Sequence, residues 1–76
     1  MLLVLCTCPD EESARSLSGF LVQEKLAACV NVVNRIGSIF TWQGKIDTAE
    51  ESLLLIKTTN MAYSALEQAI KQQHPY

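Results

Sequence analysis

The chain runs Ala27-Ala-Cys-Val-Asn-Val-Val-Asn34, then Ser38-Ile-Phe-Thr-Trp-Gln-Gly-Lys-Ile46, and then Glu51-Ser-Leu-Leu-Leu-Ile-Lys-Thr-Thr59. This stretch decides the fold, because it predicts one long two-stranded ribbon that reverses at Gln43-Gly44. An isolated hairpin of this length cannot bury its own faces and edges. We therefore expect helices from the same chain on one side of the ribbon and other subunits against the rest.

The segments around the ribbon predict a strand, a helix and, at the end, a second helix. Leu2 to Cys8 is predicted to be the first strand, which stops at Pro9 because proline has no N–H to donate to a ladder. Asp10 is the expected N-cap of the first helix, and Asn60 that of the second. The apolar positions of the two helices are Ala14, Leu17, Phe20, Leu21 and Ala28 in the first, and Ala62, Leu66, Ala69 and Ile70 in the second.

The last strand of the ribbon is predicted to be central in its sheet. Leu53 to Ile56 is apolar at every position, which is typical of a strand covered on both faces. The preceding strand is interrupted near Asn34 to Gly37, and we expect a bend or bulge at Gly37. A β-α-β-β-α order with the third strand central predicts an α+β fold, a ferredoxin-like split βαβ sandwich. That fold places a fourth strand beside the first, so we expect residues 1–76 to be a single, C-terminally truncated domain.

Composition excludes several classes of function. The chain has 76 residues, of which 49% are hydrophobic and 18% charged, as in a small soluble domain that gains stability by association. The net charge of −2 includes no basic run, so nucleic acid is not an expected partner. No stretch approaches the roughly 20 apolar residues of a membrane span, so no membrane partner is expected. Three cysteines, an odd number, without a secretory signal pattern predict a reducing compartment and a cytoplasmic location.

The residues that could carry chemistry are few. Cys6 and Cys8 lie two apart on a strand, so their thiols share one face and are either buried hydrophobes or ligands of a soft metal such as Cu(I). Cys29 is interpreted as a core residue. His74 is a helix-terminal cation, a loop residue or a metal ligand, and Trp42 is a subunit contact or a binding platform. Because no nucleophile–base pair or phosphate-binding loop occurs, we expect no enzymatic activity.

Several segments carry a likeness to a known family. They are Cys6-Thr-Cys-Pro-Asp-Glu-Glu-Ser-Ala14, Leu26-Ala-Ala-Cys-Val-Asn31, Ser38-Ile-Phe40 with Trp42-Gln-Gly-Lys-Ile46, Leu53-Leu-Leu-Ile-Lys-Thr58 and His74-Pro-Tyr76. In content, order and spacing they resemble the CutA family of divalent-cation tolerance proteins, over nearly the whole chain. The resemblance implies a cytoplasmic homotrimer of ferredoxin-like subunits that binds copper or another divalent cation. It also implies a last strand and a C-terminal helix beyond Tyr76.

The resemblance further implies a metal site. The family's proposed copper ligands are a cysteine at the end of the first strand and two consecutive histidines before Pro-Tyr. In this chain they correspond to Cys6 and to His74, with Gln73 at the position of the first histidine. An amide is a poor copper ligand. The alternative function is that of a trimer similar to PII-type signalling proteins, which binds a small molecule or a protein at its intersubunit clefts.

Overall fold

A computed structural model describes residues 1–73, which form three strands and two helices. The elements are β1 (Leu2–Cys8), α1 (Glu11–Gln23), β2 (Cys29–Trp42), β3 (Lys45–Thr58) and α2 (Asn60–Gln73). The strands form one antiparallel sheet in the order β1-β3-β2. The predicted α+β, ferredoxin-like arrangement with the third strand in the middle is confirmed.

One face of the sheet carries the core. Leu54 and Ile56 of β3 have 0% of their surface exposed, and they point to the same face because side chains alternate along a strand. The antiparallel register places Cys6 of β1 and Val32 of β2 beside Leu54. Both helices pack on this face and bury Leu17, Leu21 and Leu66 against it, while the predicted core residues Val4 and Ile70 are partly buried.

The opposite face of the sheet, which we call the open face, has no helix against it within residues 1–73. Its apolar members are Leu3, Leu5, Val33, Leu53 and Leu55. Leu3 and Leu5 are each 61% exposed. The expectation that β3 is covered on both faces is therefore met on one face only within this chain.

The ribbon of β2 and β3 ends in a two-residue turn. Trp42 pairs with Lys45, and both Gln43 (φ 52°) and Gly44 (φ 76°) have positive φ, as a tight type I′ hairpin requires. Near this turn Ile39 and Ile46 are each 77% exposed. The ribbon gives the chain a long dimension of 40 Å against 21 and 20 Å across it.

The bulge in β2 lies earlier than predicted. The register passes from the pair Val33–Leu53 to the pair Ile36–Glu51, so Asn34 and Arg35 lie opposite the single residue Ser52. The side chain of Asn34 is held on both sides: its Nδ2 donates to Glu11 Oε1 at 2.6 Å, and its Oδ1 accepts from Ser52 Oγ at 2.9 Å. The prediction of a bulge at Gly37 was wrong. The bulge lies at Asn34 and Arg35, where the hydrogen bonds of the Asn34 side chain hold it, and it does not depend on the absence of a side chain at Gly37.

The ends of α1 show one confirmed and one wrong expectation. Asp10 is the N-cap, as predicted, and its Oδ1 accepts from the Ser13 amide at 2.7 Å. The helix ends at Gln23, and Lys25 follows in the left-handed region (φ 59°). Ala28 is therefore not part of the helical stripe; it is exposed directly before β2.

The cap of α2 also differs from the prediction. Asn60 is the first residue of the helix and not its cap. Thr59 Oγ1 accepts from the Ala62 amide at 3.1 Å, so a threonine one residue earlier takes the capping position. Threonine and asparagine both serve as N-caps. Because β3 ends at Thr58 and α2 begins at Asn60, Thr59 occupies the capping position.

The substitution Leu54→Ala tests the central position of β3. We expect it to lower the free energy of unfolding by about 2–5 kcal/mol, because the buried site cannot collapse around the missing atoms. Met61→Ala is the matched control: Met61 is 96% exposed, and its loss should change stability by less than about 0.5 kcal/mol. Denaturant unfolding measures both. Equal losses for the two variants would contradict the assigned core.

Candidate functional site

The thiols of β1 form the candidate site. Cys6 is partly buried and Cys8 is 0% exposed, and both point to the helix-covered face of the sheet. The Cys6 thiol donates weakly to the Thr7 carbonyl oxygen at 3.8 Å, and each thiol affects the pKa of the other. The spacing in sequence thus correctly predicted that the two sulfurs share a face.

Cys6 lines an apolar groove of about 200 Å³ between β1 and α2. The groove is lined by Val4, Leu5, Cys6, Tyr63, Leu66, Glu67, Ile70 and Lys71. Its polar members interact with each other: Lys71 Nζ lies 3.8 Å from Glu67 Oε1, and Tyr63 Oη donates to Glu67 Oε2 at 3.3 Å. The thiol of Cys6 is therefore reached along a mainly apolar wall.

Burial governs the acidity of both thiols. It raises the pKa of Cys6 above its ordinary value, and the hydrogen bond with Cys8 offsets part of that rise. It also raises the pKa of Cys8, which reaches about 11 with the added repulsion of a charged Cys6. Both thiols are therefore protonated at neutral pH, and a metal ion must displace their protons.

The other predicted ligand positions lie elsewhere or outside the described residues. His74 belongs to the three C-terminal residues that the structure does not describe. Gln73 is the last residue of α2 and lines a cleft with Asp10 and Glu12 at the start of α1, whereas Cys6 lines the groove on β1. Among residues 1–73, no group of three or more His, Cys, Asp and Glu side chains is arranged to hold a metal ion.

Two further predictions concern side chains on the ribbon. Cys29 is exposed, so its assignment to the core was wrong. It pairs with Lys57, and this register turns its side chain to the open face, away from the helices. Trp42 is 63% exposed beside the hairpin turn, where a neighbouring molecule could reach it.

Sequence reasoning did not identify a polar cleft beside the bulge. The cleft has a volume of about 480 Å³ and is lined mainly by charged and polar residues. They are Pro9, Asp10, Glu11, Asn34, Arg35, Glu50, Glu51 and Ser52. In the sequence, the only indication of this cleft is that the polar pair Asn34-Arg35 interrupts an apolar strand. The hydrogen-bond partners of Asn34 come from α1 and β3 and are evident only in the folded chain.

Comparison with known proteins places the chain in a family. The family described as CutA1 divalent ion tolerance protein matches residues 2–76. The chain belongs to this family. The divalent-cation tolerance protein CutA of Thermus thermophilus is 49% identical over 74 residues, which are 97% of this chain and 72% of that protein. Protein CutA 1, chloroplastic, of rice is 43% identical over 75 residues, 99% of this chain but 42% of its own length.

Solved structures of family members superpose closely on the chain. The Thermus thermophilus protein matches with a TM-score of 0.90 over 97% of this chain and 72% of its own, at 49% identity. CutA1 from rice matches with a TM-score of 0.93 over 97% of this chain and 68% of its own, at 43% identity. The family predicted from the sequence segments is confirmed, and the chain spans 42% to 72% of the length of these relatives.

The predicted cytoplasmic location is contradicted by these comparisons. A CutA structure from Archaeoglobus fulgidus, 35% identical, is described as periplasmic, and the rice relative is named chloroplastic. The prediction failed because cellular location is read from targeting segments, whereas cysteine number and core composition belong to the folded domain. Neither α1 nor α2, the helices within residues 1–73, has the length and apolarity needed to cross a membrane.

The raised pKa of Cys8 predicts a pH dependence of stability. The folded chain keeps this proton up to about pH 11, whereas an unperturbed thiol releases it near 9.0. The contribution of this group is thus fully present below pH 9 and is lost as the pH rises toward 11. We expect the free energy of unfolding to fall more steeply over this range in the wild type than in Cys8→Ala. Parallel curves in denaturant titrations at pH 8, 9 and 10 would contradict the burial of this thiol.

Proposed function

We propose that this chain acts in divalent-cation tolerance as a metal-binding subunit of a homotrimer, with copper as the preferred metal. The observation that carries the proposal is the Cys6 thiol, which lies partly buried in a groove that remains open between β1 and α2. Thiolate sulfur is a strong ligand for copper, and membership of the CutA1 family supports a role with metal ions.

The proposed ligands are Cys6 and His74. His74 follows α2 directly in the sequence, and neutral imidazole is a good copper ligand. Cys6 must lose its proton on binding, so the affinity for copper should rise with pH. Gln73 is the weak member of this set, because its amide oxygen is a harder and poorer donor to copper than an imidazole nitrogen.

Trimer formation is proposed from the surfaces that the chain leaves exposed. The open face presents Leu3 and Leu5 to solvent, and the ribbon tip presents Ile39, Trp42 and Ile46. Large apolar side chains left exposed in this way are typical of a protein interface, and a domain of 76 residues has little stability without one. Packing of the open face and of the ribbon against other copies would remove this surface from water.

The substitution Leu5→Glu tests the interface. We expect a charge on the open face to convert the trimer to smaller species, because a carboxylate would be buried without a partner. Met61→Glu, on the exposed side of α2, is the control and should leave the trimer intact. Sedimentation velocity at micromolar concentration measures both. A wild-type monomer, or a trimer that tolerates Leu5→Glu, would contradict the proposal.

The ligand set is tested by copper titration. Gln73→His should tighten Cu(II) binding because it adds an imidazole donor, whereas Cys6→Ser should abolish binding. Cys29→Ser is the control and should bind as the wild type does, since Cys29 lies on the opposite face of the sheet. Isothermal titration with Cu(II) measures all three. If Gln73→His has no effect and Cys29→Ser lowers the affinity, the site lies elsewhere.

A further inference from the structure

The side chain of Asn34 joins three elements at the base of the ribbon. Its Oδ1 accepts from Ser52 Oγ of β3 at 2.9 Å, and its Nδ2 donates to Glu11 Oε1 of α1 at 2.6 Å. An ionised carboxylate only accepts hydrogen bonds, so the amide nitrogen must face Glu11 and the amide oxygen Ser52. Ser52 is 3% exposed, and its buried hydroxyl fixes the amide on the sheet while the amide nitrogen reaches across to α1.

The ribbon beyond this point has little support from the helices. Residues 36–51, which we call the distal ribbon, contain the seven pairs from Ile36–Glu51 to Trp42–Lys45, and none of these residues is buried. A ribbon of this size is about 23 Å long, so a turn of about 10° at its base would move its tip by about 4 Å. The bulge interrupts the ladder at that base, where a strand bends most readily.

The polar cleft separates the base of the distal ribbon from the start of α1. Its carboxylates are Asp10 and Glu11 on the helix side, and Glu50 and Glu51 on the ribbon side. Arg35 in the cleft and Arg15, 3.5 Å from Glu11, offset part of this charge. The remaining carboxylates repel each other across the cleft, which favours a ribbon tilted away from α1, and the hydrogen bond from Asn34 opposes that tilt.

We propose that Asn34 is a latch, whose hydrogen bond to Glu11 holds the distal ribbon in one direction against this repulsion. When the bond breaks, the ribbon turns at Asn34 and Arg35, and the cleft widens from its volume of about 480 Å³. The direction of the ribbon decides where the exposed apolar side chains of its tip lie relative to a neighbouring molecule. The latch therefore controls assembly, a consequence that rests on the proposed homotrimer.

The test measures the distance between the ribbon tip and α2 by double electron–electron resonance on the full chain. Nitroxide labels are attached through Lys45→Cys and Met61→Cys, both at exposed positions, after Cys29→Ser has removed the exposed native thiol. Labelled chains are diluted with unlabelled chains, so that only distances within one chain are recorded. We expect one narrow distance distribution for this parent.

The decisive variant is Asn34→Asp, which keeps the shape of the side chain and an acceptor for Ser52 but replaces the donor to Glu11 with a repelling carboxylate. We expect the tilted fraction of chains to rise about two- to tenfold, as for the loss of one hydrogen bond. Adding Glu11→Gln should restore the parent distance, because the new amide can donate in the opposite direction. Asn60→Asp, the same change at the exposed first residue of α2, is the matched control and should leave the distance unchanged.

Salt tests the role of charge in the tilt. Raising the salt concentration from about 0.01 M to about 1 M shortens the Debye length from about 30 Å to about 3 Å. We expect the tilted fraction of Asn34→Asp to fall over this range, because the screened carboxylates no longer repel each other. Local damage to the fold would not be reversed by salt in this way.

The inference is overturned if Asn34→Asp keeps the parent distance, if Glu11→Gln fails to restore it, or if salt leaves the tilt unchanged. Should Asn34→Asp fail to fold by circular dichroism, Glu11→Ala removes the acceptor outside the sheet and decides the question by the same distance. A wild-type monomer in sedimentation velocity would contradict the proposed trimer, whereas the distance within one chain would still decide the latch. A trimer of Asn34→Asp as stable as that of the wild type would overturn the control of assembly.

Discussion

The pairing of β3 with a strand on each side is the interaction on which the rest of the structure depends. β3 has β1 on one edge and β2 on the other, and its Leu54 and Ile56 form the floor on which both helices pack. Every backbone group of a central strand can be satisfied within the sheet, so this strand can be buried deeply. Pairing with β3 sets the register of β1 and β2, and the register decides which face of the sheet each of their side chains points to.

The same strand pairing leaves part of the chain's apolar surface exposed to solvent. Both helices lie on the same face of the sheet, so the leucines of the open face stay exposed in this chain. The ribbon also extends beyond α1 and α2, and no other element among the described residues covers Ile39, Trp42 and Ile46 there. In this family member the exposed leucines of the open face thus lie on the side of the sheet opposite the Cys6 thiol.

Register also positions the thiols. Cys6 lies beside Leu54 and Cys8 beside Ser52, on the helix-covered face, whereas Cys29 lies beside Lys57 on the open face. A shift of one residue in either strand pair would exchange these environments. The environment of each cysteine therefore depends on strand pairing. As a result Cys8 lies in the core, Cys6 lines the groove and Cys29 is exposed on the surface.

The sequence by itself determined the order of the elements, the Asp10 cap, the hairpin turn and the shared face of Cys6 and Cys8, because each depends on neighbours along the chain. It also indicated the central strand, through the unbroken apolar run from Leu53 to Ile56. Only the tertiary structure decided the bulge at Asn34, which takes its hydrogen bonds from α1 and β3. It also decided the exposure of Cys29 and the choice of Thr59 over Asn60 as a cap. These features depend on contacts between residues distant in sequence, and hydrophobic periodicity contains no information about which segment supplies the partner.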